Sequence, residues 1–342
     1  MTEETKKTLA TPDGCDLVVE NVQGKISVEG WDRPETEVIA VRHQEWAEIE
    51  IYQEGRQVVA RTKDRRGPPR LLNRSGKDRT PTVDYAVRVP HASNVRLKNV
   101  NGPVHVAHVQ GNVHTNNVDG LSTLQAITGQ VRSETVNGPI QATGLDGEAQ
   151  LKAVNGRVVV QESRLCDLAA EAVNGQIEVA TTVDVQGRYT FKTVNGSCHL
   201  TVPPDAQARV SVDGLNSGVD CSLPARAVER SFGSWRGVIG EGDGPKAEIT
   251  FHTINGRLRL DSSEATTETP IPFVAKAETK AGPPPDVPEP LEPSTTPIEI
   301  KVAETPSTEE AGTKQALSKT EILQMTERGE ISVDEALELL KG

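Results

Sequence analysis

The stretch VNGPVHVAHVQGNVHTNNVDGLSTLQAITGQVRSETVNGPIQATGLDGEAQLKAVNG, residues 100–156, decides the fold because glycine returns in it at every ninth position. At every second glycine the tripeptide Val-(Asn/Asp)-Gly also returns, from Val100-Asn101-Gly102 to Val154-Asn155-Gly156. A fixed period of this kind is the signature of a repeat architecture. The repeating unit is therefore about 18 residues long, or two strands.

Each nine-residue unit predicts a short strand with one buried face. Most residues two before, two after and four after each glycine are apolar, and they alternate with polar residues. Asn-Gly or Asp-Gly supplies the positive φ of a tight corner, where the Asn and Asp side chains are expected to form a polar ladder. The position two before the glycine is aliphatic in every unit, and we expect this whole column to be buried: Val100, Val109, Val118, Ile127, Val136, Leu145 and Val154.

The same side chains return in the same order every 18 residues, which favours coils stacked in register over a meander of hairpins. The sequence thus predicts an all-β parallel solenoid over residues 17–261, with cap strands in 31–90. Residues 1–16 are expected to be a flexible N-terminus. The repeat is interrupted at 223–246, and 249–260 are expected to form the closing coil.

A linker and a small helical domain are predicted after the repeat. Residues 262–316 are rich in Pro, Glu and Thr without periodicity, which predicts disorder. Residues 317–342 carry two Ser-x-x-Glu capping boxes, starting at Ser318 and Ser332, with Gly329 between them, and predict an α-helical hairpin. Such short helices are not stable alone, so the hairpin is expected to self-associate or to dock on a protein partner. The residues expected to make this contact are Ile322, Leu323, Met325, Ile331, Ala336, Leu337, Leu339 and Leu340.

The chain resembles a known family. The run Tyr85-Ala86-Val87-Arg88-Val89-Pro90, then LKNVNGPV at 97–104 and the serial Val-Asn-Gly units, resembles the bacterial putative-adhesin, or toast-rack, β-strand-repeat domain over about residues 17–260. The tail from Glu321 to Leu340 resembles the short SHOCT-like domain often found beside such repeats. The resemblance implies a right-handed parallel β-helix without catalytic residues and, in some relatives, a role in sensing or buffering cell-envelope stress.

Composition narrows the function classes. With 35% hydrophobic and 3% aromatic residues, the core is expected to be narrow and built from small branched side chains. The formal charge of −12 argues against nucleic-acid binding through a general positive field. No run of about 18 apolar residues and no secretory signal pattern occurs, so we expect a cytoplasmic protein, with peripheral membrane association as an alternative.

The sequence predicts a protein that is not an enzyme and needs no cofactor. No Ser/His/Asp order, nucleophile elbow or supported carboxylate pair occurs, and no Gly-Lys-Ser/Thr follows the glycines of 233–244. The four cysteines are scattered without a Cys-x-x-Cys pair, so they are interpreted as reduced structural thiols.

Three histidines, His105, His108 and His114, are weak candidates for metal ligands. His105 and His114 are expected at equivalent positions on adjacent strands, and imidazoles at such spacing suit a transition metal. Later repeats carry Thr123 and Arg132 at this position, and no carboxylate or cysteine completes the set. We therefore expect an outward polar column rather than a metal site.

Two functional hypotheses follow. The first is a non-enzymatic interaction scaffold in a cell-envelope stress or regulatory pathway, assembled through the C-terminal hairpin. The second is a binding module for an anionic ligand, a membrane lipid headgroup or a nucleic acid, through the basic loop 63–79, whose local charge balance is +5. The acidic stretch 261–312, with a balance of −8, is long enough to fold back on that loop. The basic residues are Lys63, Arg65, Arg66, Arg70, Arg74, Lys77 and Arg79.

Overall fold

The computed structural model describes residues 2–64, 80–231, 233–240 and 246–263, and all regular elements in these ranges are β-strands of one sheet. The N-terminal strands are β1 (Glu3–Ala10), β2 (Asp16–Gln23), β3 (Ile26–Trp31), β4 (Glu35–Arg42), β5 (Ala47–Glu54), β6 (Gln57–Asp64) and β7 (Val83–Pro90). The repeat region holds β8 (Asn94–Asn101), β9 (Val104–Ala107), β10 (Val113–Asp119), β11 (Ser122–Gln125), β12 (Thr128–Asn137), β13 (Ile140–Thr143), β14 (Asp146–Asn155), β15 (Val158–Asn174) and β16 (Ile177–Val202). The last strands are β17 (Ala208–Cys221), β18 (Ala225–Ser231), β19 (Ser234–Ile239) and β20 (Ala247–Ser262). The predicted linker 262–316, beyond Ser263, and the predicted hairpin 317–342 lie outside the described residues.

The repeats stack in parallel with the offset that the sequence predicts. Strand β10 pairs in parallel with β8 and β12, so that Val113 lies opposite Val95 on one side and Val131 on the other. Strand β11 pairs in the same way with β9 and β13. Each of these coils therefore contributes strands to two parallel stacks, which are joined where β13 and β14 both pair with β15, and the all-β parallel solenoid is confirmed.

The core between the stacks is filled mainly by small branched side chains. The largest fully buried side chains include Tyr85, Tyr189 and Phe191. Burial raises the pKa of Tyr85 to about 12, and its hydroxyl forms a hydrogen bond with that of Thr62 at 2.8 Å. The Tyr189 hydroxyl donates to the carbonyl oxygen of Leu165 at 2.6 Å. The buried hydroxyl groups of both tyrosines thus have a hydrogen-bond partner.

The expectation of one unbroken buried aliphatic column was wrong. Val109, Ile127 and Leu145 are buried, but the alternate members Val100, Val118 and Val136 are exposed and Val154 is half-buried. The column therefore consists of two sets, one on each of the two corners of the coil.

Backbone conformation at the corners explains the split. His108, Ala126 and Glu162 have φ of 58°, 49° and 50°, and Gly144 occupies the equivalent corner with φ of 66°. His108, Ala126 and Gly144 precede Val109, Ile127 and Leu145, and Glu162 precedes the buried Ser163 at the equivalent position, so a left-handed residue turns the next side chain into the core. At the other corner the alternation of the strand continues, and Asn117 points inward, where its Nδ2 donates to the carbonyl oxygens of Gly102 and Gly120. Val118, the next residue, therefore faces out.

Five asparagines that precede corner glycines, together with Asn216 before Ser217, form the predicted polar ladder. In five successive bonds, each Nδ2 donates to the Oδ1 of an asparagine one coil away, at 2.7–3.2 Å. The ladder fixes the register of successive coils along one corner. Its members are Asn137, Asn155, Asn174, Asn195, Asn255 and Asn216.

Replacing one ladder member tests its contribution. Asn174→Ala removes two bonds, to Asn155 and from Asn195, and is expected to lower the free energy of unfolding by about 1–2 kcal/mol. Urea unfolding followed by circular dichroism measures the change. Asn116→Ala, at an exposed asparagine outside the ladder, is the control and is expected to change nothing. Equal effects of the two substitutions would show that the ladder does not hold the register.

At both ends the coils stack in an order that differs from the sequence. Strand β20 pairs in parallel with both β16 and β17, so the predicted closing coil 249–260 lies inside the stack, and β17 lies beyond it. Strand β19 then covers β17 and pairs with β18, both in antiparallel fashion. The prediction was wrong because the repeat motif fixes the shape of a coil but not the coil on which it stacks.

At the N-terminal end the coil of β2 and β3 lies between the β8–β9 coil and the cap strands β6 and β7. Strands β4 and β5 pair in antiparallel fashion with β7 and β6. The predicted flexible segment 1–16 is instead largely strand β1, which pairs along its whole length with β4. Its side chains are almost all exposed, so hydrophobic patterning gives no signal for it, and backbone pairing holds it in place.

Acid is expected to release β1 from β4. Glu37 of β4 lies 2.5 Å from Lys6 of β1 and 3.5 Å from Arg88, and the hydrogen bond from Lys6, followed by the charge of Lys6, lowers the pKa of the carboxyl despite its burial. A lowered pKa stabilises the folded state above the usual carboxyl value of about 4.3, and this contribution is lost as the pH falls through the lowered value. The protection of residues 3–10 against amide exchange, corrected for the slower intrinsic exchange at acid pH, should be lost there, so that exchange becomes fast relative to an unfolded chain. In Glu37→Gln it should be fast already at pH 7, and slow exchange in that variant would contradict the assignment.

Candidate interaction surface

The exposed valines form a continuous apolar surface on one corner of the solenoid. Val100, Val118 and Val136 are 47%, 39% and 40% exposed, and Val185 at 48% is the only other large hydrophobic residue exposed to this degree in the described ranges. Asn117, the residue before Val118, lies opposite Asn99 and Thr135, the residues before Val100 and Val136. The three valines therefore lie one coil apart, at a spacing of roughly 4.8 Å. Single exposed valines are ordinary, whereas an aligned set needs an explanation.

A second apolar column lies on the other side of the corner glycines. Pro103 is exposed, and Leu121 and Pro139 are half-buried. Only the corner glycine and the exposed Asn101, Asp119 or Asn137 before it separate the two columns. We call the six residues together the valine stripe: Val100, Pro103, Val118, Leu121, Val136 and Pro139.

The column of the valine stripe extends into neighbouring coils. Val22 is half-buried at the N-terminal side, as is Val154 at the other, and both occupy the equivalent position. Val22-Gln23-Gly24 is a repeat corner that the sequence analysis missed, because Gln replaces Asn and 78 residues separate it from Val100. In the later coils the same position is buried, at Val194 and Ile254. The exposed part is therefore confined to three coils.

Paired charges border the valine stripe. Two residues before Val100, the outward-facing Lys98 lies 3.4 Å from Glu20. Two residues before Val154, Lys152 lies 3.8 Å from Glu171. Exposed pairs of this kind add little stability, but they leave a neutral polar rim around the apolar residues. An apolar centre with a polar rim is the usual anatomy of a protein interface.

The structure does not bring the three candidate histidines together as ligands. His105 lies on β9 opposite Ser27 and Thr123, whereas His114 lies on β10, which belongs to the other stack. Strands β9 and β10 are thus not hydrogen-bonded neighbours, which corrects the expectation of adjacency. Burial lowers the pKa of both His105 and His114, and nearby lysine or arginine charges add to the effect. His108 accepts a hydrogen bond at its carbonyl oxygen from His91 Nδ1 at 2.6 Å. Within the described ranges no cluster of three metal-ligating side chains occurs.

The other predicted site residues lie mostly outside the described ranges. Lys63 is described, and its Nζ lies 2.6 Å from Glu50 across the β5–β6 hairpin. The remaining basic-loop residues, Arg65 to Arg79, and the apolar residues of the predicted hairpin are not among the described residues. Lys63 therefore contributes to a strand pair, and the basic-loop hypothesis rests on the sequence.

An open cleft of about 710 Å³ lies at the C-terminal coils. Its lining includes Cys221, Arg259 and Asp261. Asp261 accepts hydrogen bonds from His199 at 2.8 Å and Arg259 at 2.7 Å. Burial alone would raise the pKa of Asp261, but these bonds outweigh it and hold the pKa below its usual range. The carboxylate of Asp261 is thus paired with the basic side chains of His199 and Arg259. Burial raises the pKa of the Cys221 thiol, so this thiol is not activated as a thiolate.

All four cysteines are free. Cys15 and Cys198 are buried, and burial raises the pKa of both thiols. Cys166 is exposed. Within the described part of the chain, no helix is long and apolar enough to cross a membrane.

These features define an all-β parallel solenoid with an apolar stripe on one corner. No protein-family model and no curated protein matches the sequence. Solved structures that it resembles include a putative cell adhesion protein from Clostridium sporogenes, at 10% identity and a TM-score of 0.23, covering 77% of this chain and 100% of that one. A putative adhesin from Bacteroides fragilis matches at 9% identity and a TM-score of 0.41, over 75% and 97% of the two chains. A putative lipid binding protein from Parabacteroides distasonis matches at 12% and 0.29, over 77% and 97%.

Proposed function

We propose that this chain is a non-enzymatic β-solenoid interaction scaffold, which docks other protein segments along the valine stripe. The observation that carries the proposal is the alignment of Val100, Val118 and Val136 on an outer corner of a register-locked stack. The pathway, a bacterial cell-envelope stress or regulatory response, is supported by the sequence resemblance. The C-terminal hairpin is proposed to mediate oligomerisation or partner docking.

A rigid stripe suits this role because docking on it costs little conformational entropy in the scaffold. The stripe is held by parallel ladders on both sides of the corner, and its residues already stand in the arrangement that a partner would contact. The neutral rim formed by the Lys98 and Lys152 pairs disfavours long-range electrostatic capture. The stripe should therefore select by shape and apolar contact.

Mass in solution tests the assembly role. Light scattering would compare the full chain with residues 1–262, each at low and high salt. A multimer that becomes monomeric on truncation, at either salt, would support the hairpin as the assembly device, because apolar contacts are not screened. A monomer in every condition would remove self-association and leave partner docking as the role of the hairpin.

The alternative is a binding module for an anionic ligand at the basic loop 63–79, favoured by its local charge balance of +5. Binding to phosphatidylglycerol vesicles at 50 and 300 mM salt would test it, with neutral vesicles as the control. Replacing Arg65, Arg66, Arg70 and Arg74 by Gln should abolish salt-sensitive binding. Binding unaffected by these changes would reject the loop as the site.

A further inference from the structure

We propose that the valine stripe is the docking site for the C-terminal segment 318–342 of the same chain, which covers the stripe until a partner displaces it. This inference rests on the proposed function, because it assigns the regulation of the same surface. The valine stripe is an apolar surface exposed to water. The segment 318–342 has a sequence that predicts helices too short to be stable alone, so each would stabilise the other.

The first step is the mismatch between the stripe and its surroundings. The strand faces on either side of the corner carry charged and polar side chains, as in the outward residues Arg96 and Lys98 or Arg132 and Glu134. The three valines keep 39–47% of their surface in water without any functional group to explain it. An aligned apolar patch bordered by polar residues is typical of a surface that another segment covers.

The second step is the chemistry of the segment. Between Ser318 and Lys341 the sequence predicts two short helices with apolar residues at helical spacing, among them Ile322 and Met325 in the first and Ala336 and Leu340 in the second. Six acidic residues against three basic ones, a balance of −3, lie among them and would remain in water. The segment thus has one face to bury and one to expose, which is the helix-in-groove mode of recognition.

The third step is dimension. A helix of about ten residues is roughly 15 Å long. From Val22 to Val154 the column crosses four coil spacings, or roughly 19 Å. A single predicted helix therefore matches the length of the column from one half-buried end to the other.

The fourth step is the tether. The last described strand, β20, ends at Ser262 and stacks on β16, four coil spacings from Val136, or roughly 19 Å along the axis. The 55 residues of 262–316 span about 40 Å as a flexible chain, and their prolines extend this further. A tether that exceeds the required span gives a millimolar effective concentration. Weak docking on the same chain therefore outcompetes a second copy at ordinary protein concentrations.

Hydrogen exchange of the full chain tests the proposal. Mass spectrometry would compare the wild type with the double variant Val118→Asp/Val136→Asp, which places two charges on the stripe. Val185→Asp is the matched control, because Val185 is equally exposed but lies off the stripe. Each sample would be measured at two protein concentrations tenfold apart, and the slow exchange of strand β14, which carries none of the substitutions, would confirm that every variant is folded.

We expect residues 318–342 to exchange at least about tenfold more slowly in the wild type and in Val185→Asp than in the double variant, at both concentrations. Free exchange of the segment in the wild type, or equal protection in the double variant, would overturn the docking. Protection that rises with protein concentration would overturn docking on the same chain and indicate a second copy as occupant. A freely exchanging segment in a chain that still forms tail-dependent multimers would reject this inference while leaving the scaffold in place.

Discussion

Gly156→Ala is expected to lower the free energy of unfolding by about 3 kcal/mol, because glycine at this corner lets one coil lie directly on the next. A Cβ at Gly156 would lie 2.0 Å from the carbonyl oxygen of Gly138 in the preceding coil. The added Cβ would clash with backbone atoms of the preceding coil rather than with a flexible side chain, so the two coils would have to separate. The φ of Gly156 is outside the left-handed range, so close approach rather than backbone strain explains the glycine.

The matched control is Gly218→Ala. Its added Cβ would meet only the flexible side chain of Arg257, at 3.3 Å or more, and the residue also has no left-handed φ. We expect the stability of this variant to stay within about 0.5 kcal/mol of the wild type. Urea unfolding of both variants measures the difference. A Gly156→Ala chain as stable as Gly218→Ala would show that the coils do not stack as closely as described.

Ile127→Asp is expected to unfold the solenoid, whereas Val136→Asp is expected to leave it folded. The two residues occupy the same position of successive nine-residue units, two before the glycine. Ile127 is buried, and a carboxylate there would have no partner, which costs more than about 4 kcal/mol. Val136 is 40% exposed, so a carboxylate there stays hydrated and changes stability by about 1 kcal/mol or less.

Circular dichroism and urea unfolding distinguish the two outcomes. If Val136→Asp unfolds the chain as Ile127→Asp does, the column is buried in both corners and the valine stripe does not exist. If both variants stay folded, neither corner belongs to the core. Only the asymmetric result agrees with the backbone conformations at His108, Ala126 and Glu162.

The sequence was sufficient to predict the parallel stacking and much of its chemistry. The offset of 18 residues fixes which strands pair, and the Asn-Gly corners predict the ladder through Asn155 and Asn174. Both follow from local spacing, since a parallel stack places identical positions of successive coils side by side.

The asymmetry of the two corners was not predictable in the same way. It depends on left-handed backbone at His108 and Ala126, two residue types that give no sequence signal for positive φ comparable to glycine. The signal that was present is the glycine at Gly144, which occupies the same corner in the next coil. A glycine there indicates that the corner itself requires positive φ.

Long-range order was also beyond the sequence. Strand β1 is held by backbone pairing with β4 and by charged contacts such as Arg42 with Glu3, none of which produces periodicity. The insertion of β20 between β16 and β17 depends on a contact across about 60 residues, for which the repeat carries no register information. The exposed valine stripe, the candidate functional surface, followed only when the corner geometry was known.

The most direct test of the central claim is the thiol labelling rate of two substitutions in residues 1–262 carrying Cys166→Ser and Cys221→Ser, because Cys166 is exposed and Cys221 lines the open cleft. Val118→Cys lies on the valine stripe and Ile127→Cys lies at the other corner, while Cys15 and Cys198 are buried and their thiols are protected by a raised pKa. The account predicts rapid labelling of Val118→Cys in the folded chain and labelling of Ile127→Cys only after unfolding. Equal protection of the two thiols in the folded chain would contradict it.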